Sequence, residues 1–104
     1  MVIAFDFDGV LSNLKMQQFA RKCMRSGIDV WVVTARRGGE HNQDLHKVLL
    51  KIGLTLGKVV FTDSKEKIDY LKGINADLFI DDNSTEFNSI MDYTDTIPVW
   101  FTSK

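Results

Sequence analysis

Val2-Ile3-Ala4-Phe5-Asp6-Phe7-Asp8-Gly9-Val10 opens the chain with four apolar residues, then two carboxylates two positions apart, then a glycine. The apolar run reads as a buried strand, and Asp and Gly at its end read as a turn where the chain leaves the core. Four further short apolar clusters follow, at Ile28–Val33, Val59–Phe61, Leu78–Ile80 and Pro98–Phe101, rich in the β-branched and aromatic residues that suit a pleated, buried surface. Between them, helical spacing joins Met16, Phe19, Ala20 and Cys23, then Leu45, Val48, Leu49 and Ile52. The same spacing joins Ile68 with Leu71, and Phe87 with Ile90 and Met91.

Strands that alternate with helices in this way predict an α/β fold. Continuous apolar strands need cover on both faces, and crossover helices supply it, so the expectation is a three-layer, Rossmann-like sandwich around a five-stranded parallel sheet. Gly27, Gly53 and Gly73 stand where helices should end, and Ser64 and Ser84 where they should be capped. Pro98, which cannot donate a ladder hydrogen bond, assigns the last strand to an edge.

The chain has 104 residues, 44% hydrophobic and 26% charged, which suits one domain over residues 1–104 and leaves no room for a second core. Thirteen basic residues against fourteen acidic ones give a net charge of -1, which excludes binding of duplex nucleic acid or anionic membrane by bulk charge alone. No apolar run reaches the roughly 18 residues that cross a bilayer, and the early acidic residues are unlike a secretory signal, so a cytoplasmic protein is expected. Cys23 has no partner for a disulfide and lies on an apolar helical face, as a packed core thiol does. Trp31 and Trp100 read as packing residues and His46 as a surface one.

In parallel α/β sheets, ligands bind beyond the carboxyl ends of the strands. The residues there are Asp6-Phe7-Asp8-Gly9, Thr34-Ala35-Arg36, Thr62-Asp63-Ser64-Lys65-Glu66-Lys67 and Asp81-Asp82-Asn83. Four carboxylates gathered in a partly buried pocket require raised pKa values or a bound cation. All-oxygen ligands suit Mg²⁺, whereas two histidines and one cysteine make no zinc set. A hydroxyl and an ammonium facing such a cation form a cradle for a phosphoryl group. Asp6 is then a candidate nucleophile, and Asp8 a candidate acid and base. An EF-hand loop is excluded because Gly9 comes too early.

The set DFDGV, VVTAR, a lysine ahead of a helix and DLFIDDN resembles the haloacid dehalogenase-like (HAD) hydrolase superfamily, over essentially the whole chain. The resemblance implies Mg²⁺-dependent phosphatase chemistry, with Asp6 as nucleophile and metal ligand and Asp8 as acid/base whose main-chain carbonyl also meets the metal. It implies Asp81 and Asp82 as further metal ligands, and Thr34 with Ala35 as phosphate-binding residues. The resemblance implies Lys67 as the lysine of the set, since its spacing ahead of Asp81 is similar to that in members of the superfamily, with Lys65 as the other candidate. A response-regulator receiver domain shares these residue types but in a different order.

Only Val10 to Asn13 separate the first motif from its helix, and Gly53 to Lys58 leave no room for a second insertion, so a cap domain is not expected. An open site would be closed by a second copy of the chain or by a large substrate. Arg36, Arg37 and His41 around Gly38 and Gly39 form a basic loop at the same edge, suited to a second substrate phosphate. The 3'-phosphatase domain of phage-type polynucleotide kinase is similar in having no large cap, such a basic loop and an Asp-Asp motif. That similarity implies a nucleotide or a nucleic-acid end as substrate. The competing expectation is a noncatalytic binding or regulatory domain on the same scaffold, and phosphoryl transfer to another acceptor fits the motifs equally.

Overall fold

The computed structural model describes residues 1–103. Five strands, β1 (Val2–Phe5), β2 (Asp29–Thr34), β3 (Val59–Phe61), β4 (Leu78–Asp81) and β5 (Ile97–Trp100), form one all-parallel sheet in the order β3-β2-β1-β4-β5. Four α-helices connect them: α1 (Leu14–Arg25), α2 (Gln43–Ile52), α3 (Ile68–Ile74) and α4 (Phe87–Tyr93). The α/β expectation and its five strands therefore hold, with boundaries shifted by a residue or so.

Alternation along each strand builds two cores. Ile3 and Phe5 of β1 and Val30 and Val32 of β2 face α1 and α2, where Ala20, Cys23, Leu45 and Leu49 meet them. Ala4, Val33 and Phe79 face the other way, against Leu71 of α3 and Ile90 of α4. The chain steps outward from β1 to β3 and then returns to the other side of β1. Crossovers of one hand, run in opposite directions, place their helices on opposite faces. The reversal leaves a crevice beyond the carboxyl ends of β1 and β4, which are hydrogen-bonded neighbours.

Gly53 caps α2 in the left-handed conformation at φ 82°, but Gly73 lies inside α3, and Asn75 takes the left-handed cap position at φ 55°. Ser64 and Ser84 cap nothing: α3 starts after Lys67 and α4 after Glu86, because each serine belongs to a turn that precedes its helix. Phe19 of α1 is exposed, and Met91 of α4 is 58% exposed because α4 buries only the Ile90 side of its short length. Cys23 is buried, as expected. Pro98 lies in edge strand β5; the Ile97 amide donates to the Asp77 carbonyl just before β4 and the Phe101 amide, just past β5, to that of Asp81, and this register directs position 98 outward, where no donor is needed.

Candidate functional site

Asp6 is the first residue past β1, and its amide donates to the Ile80 carbonyl at 2.9 Å, so the β1–β4 ladder continues into the crevice. Asp81 ends β4 and Asp82 follows it. Oxygens of Asp6, Asp81 and Asp82 lie within 4.8 Å of one another, an arrangement that could hold a metal ion; Asp6 and Asp81 are buried and Asp82 is exposed. Gly9 makes room for this cluster. Its φ of 76° is left-handed, and a β-carbon there would run into the Asp82 carboxylate.

Lys67 enters the cluster from the start of α3. Its Nζ lies 3.2 Å from Asp6 Oδ1 and 3.2 Å from Asp81 Oδ2, with all three side chains less than a tenth exposed. Its position is held from behind, because its amide donates to Glu86 Oε1 at 2.8 Å. Lys65, the other candidate, is exposed.

One ammonium does not offset three carboxylates. Burial raises the Asp6 pKa from its ordinary value to about 7, since the lowering by Lys67 is opposed by Asp81. Asp82 is raised too, by desolvation and by its hydrogen bond with Asp81. Desolvation alone would lower Lys67, but Asp6 and Asp81 outweigh it and raise it. The site therefore favours an added positive charge over a further negative one.

Thr34 ends β2, fully buried, and its hydroxyl accepts the Arg36 amide at 3.3 Å. Ala35 is exposed on the next residue, its carbonyl accepting the Ser64 amide at 2.8 Å. Ala35, Lys67 and Asp81 share a hollow of about 280 Å³ with the residues at the start of α3 and after β4. Asp63 and Ser64, both in left-handed conformation, turn the chain beneath it.

Asp8 is placed differently from the other three aspartates. Its side chain is 60% exposed and does not join the cluster. Phe7–Leu11 winds into a wide π-type turn, closed by bonds from the Leu11 amide to Asp6 O and from the Ser12 amide to Phe7 O, with non-helical backbone at Asp8 and Gly9. That break turns Asp8 toward Arg36, which holds both its oxygens, at 3.0 Å from Nε and 2.7 Å from Nη2.

The basic loop divides into parts with different surroundings. Arg36 is engaged by Asp8 and Asp44, and with Asp44 it forms part of the wall of an open concavity of about 660 Å³ that Arg37, His41 and Lys47 also line. The loop is pinned by the fully buried Asn42, which donates to the carbonyls of Arg37 at 2.8 Å and Gly39 at 3.1 Å. Asn42, Asp44 and Glu86 were not among the residues expected at the site. Their only sequence signal is their place at the start of α2 and α4, where polar residues are ordinary. Trp100, expected to pack, is 64% exposed on edge strand β5; its indole donates to the Asp82 carbonyl at 3.2 Å. His46, expected on the surface, is half-buried.

Neither the family models nor the curated proteins compared with the chain match it. No helix among the described residues is long and apolar enough to cross a membrane.

Proposed function

We propose that the chain is a cap-free, HAD-like phosphomonoester hydrolase that uses Mg²⁺ and works through an aspartyl-phosphate on Asp6. The observation that supports it is a single cluster, in which the buried Lys67 ammonium lies 3.2 Å from both Asp6 and Asp81 and Asp82 completes a trio of carboxylates. This donor set fits Mg²⁺, which prefers hard oxygen ligands, and the raised pKa of Asp6 is the electrostatic sign of a site short of positive charge. Asp6, Asp81 and Asp82 would hold the ion, and Mg²⁺ when bound offsets charge on the transferring phosphoryl group.

The other steps belong to the chain's own groups. Lys67 and Thr34 steady the phosphoryl oxygens. An Asp6 oxygen attacks phosphorus as the bond to the leaving oxygen breaks, and Asp8 gives that oxygen its proton. Asp8 then takes a proton from water, whose oxygen attacks phosphorus; the Asp6–phosphorus bond breaks, and inorganic phosphate leaves.

The substrate in this reading is a nucleotide or a nucleic-acid end. A concavity of about 660 Å³, in which Arg37, His41 and Lys47 stand beside the paired Arg36 and Asp44, suits a second anionic group near the reacting one. A second copy of the chain or the substrate itself closes the site, and the cytoplasm is the compartment in which it works.

The test is the thermal shift of wild type and Asp6→Asn with Mg²⁺ and trifluoroberyllate, which mimics a phosphoryl group on aspartate, followed by phosphate release from nucleotides and 3'-phosphorylated oligonucleotides. A shift and a turnover that both disappear in Asp6→Asn are expected. Folded proteins that give neither would overturn the hydrolase and favour a noncatalytic binding domain.

A further inference from the structure

Arg36 is held on every donor-bearing side of its guanidinium. Beyond its two bonds to Asp8, Nη1 donates to Asp44 Oδ1 at 2.7 Å and Asn42 Oδ1 at 3.3 Å, and Nη2 donates to Asp44 Oδ2 at 2.9 Å. Its planar face lies over the buried Phe7 ring, 4.8 Å from the centroid. The side chain is therefore fixed from α2, from the buried Asn42 and from the core, and its remaining edge is the one that grips Asp8. A bidentate fork of this kind sets direction as well as distance. A guanidinium already committed to two carboxylates has no free edge for a substrate phosphate.

We propose that Arg36 is the positioning residue for Asp8, a clamp that keeps this exposed carboxylate apart from the Asp6–Asp81–Asp82 cluster and oriented for proton transfer. The proposal rests on the hydrolase reading above and deepens it. Two carboxylates only two residues apart need opposite surroundings to do different work: Asp6 is buried beside Lys67, and Asp8 is held in the open by Arg36. The clamp uses two of the roughly four lone-pair sites of a carboxylate, so the others remain to pass a proton to the leaving oxygen as its bond to phosphorus breaks. Asp44 acts one step further out, by orienting Arg36. A proton donor displaced by about 1 Å loses rate on the order of a hundredfold, but only where the leaving group needs the proton.

The experiment compares kcat/KM for benzyl phosphate, whose alkoxide leaves poorly, with that for p-nitrophenyl phosphate, whose phenolate departs without protonation. Arg36→Gln and Arg36→Lys are expected to lower the first by about a hundredfold and the second by about tenfold or less. Lysine should not rescue, because it keeps the charge but not the fork. Asp44→Asn, at an exposed position that tolerates the change, should give the same selectivity in smaller degree. All three variants should keep the wild-type thermal shift with Mg²⁺ and trifluoroberyllate, since the cradle around Asp6 does not include them. An equal loss on both substrates, or no loss, in the presence of turnover that depends on Asp6 would overturn the clamp and leave the hydrolase standing. Absence of Asp6-dependent turnover on either ester would overturn both.

Discussion

Lys67 is the one cation, among the described residues, paired with the buried carboxylates of Asp6 and Asp81. Removing one partner of such a group leaves uncompensated charge in a poorly solvated place, at a cost of about 3–5 kcal/mol. Lys67→Met keeps much of the side-chain volume and isolates that effect. At pH 8 it should lower unfolding free energy in urea by about 3 kcal/mol or more. The loss should shrink on acidification toward pH 5, where Asp6, raised to about 7, takes up a proton and needs no counter-charge. A loss that stays constant with pH would instead assign the effect to packing against Phe79, whose ring the ammonium overlies at 5.3 Å. This residue was singled out in the sequence only through the family resemblance, which its spacing ahead of Asp81 matches. Asn42 was not, because full burial of an asparagine side chain depends on a loop folding back over it.

At the scale of elements, the path from β1 to α1 positions the site. The wide turn over Phe7–Leu11 ends in Asn13, whose side chain accepts the amides of Lys15 at 2.9 Å and Met16 at 3.3 Å and so caps α1. The Asn13 amide also donates to Val10 O at 3.0 Å, which joins the cap to the turn that carries Asp8 and Gly9. Asn13→Ala should therefore cost about 1 kcal/mol, within the usual range for a lost N-cap. Urea unfolding measures that cost, and amide hydrogen exchange should show its effect concentrated in Phe7–Met16. The strands were legible because strands covered on both faces leave short continuous apolar runs, and α1 and α2 because each is long enough to show an apolar stripe. α3 and α4 have seven residues each, too few turns to fix their ends from pattern alone, so the serine caps and Gly73 were misplaced.

For the whole molecule, the balance of charge at the crevice sets a pH dependence. Asp6 titrates near pH 7 in the folded chain and near its ordinary carboxylate value, 3.8, when unfolded. The folded state thus binds the proton more tightly. Its contribution is fully present below about pH 4 and is lost as pH rises toward 7. Asp82, also raised, acts in the same direction. Asp44, lowered to about 2 by Arg36, acts oppositely: its contribution is present above about pH 4 and is lost as pH falls toward 2, and its exposure keeps it small. Metal-free protein should accordingly melt highest in weak acid and progressively lower from pH 4 to 7. Addition of 10-fold steps of Mg²⁺ at pH 7 should raise the melting temperature and flatten the profile, as expected for a ligand of the native state alone. A profile that ignores Mg²⁺ would count against the carboxylate trio as a metal site.

The sequence by itself determined the order of strands and helices, the sheet's parallel character, and the placing of Asp6, Thr34, Lys67, Asp81 and Asp82 at strand ends or helix starts. These follow from local periodicity and from the need to bury apolar strands on both faces. Tertiary structure alone decided which of those groups meet. The return of the chain to the far side of β1 sets Asp6 beside Asp81, and the space at Gly9 admits Asp82. The loop before α2 brings Arg36 to Asp8 across 28 residues of chain. Such contacts depend on side-chain direction and on distances of a few ångströms between segments remote in sequence, and no local pattern of residues encodes them.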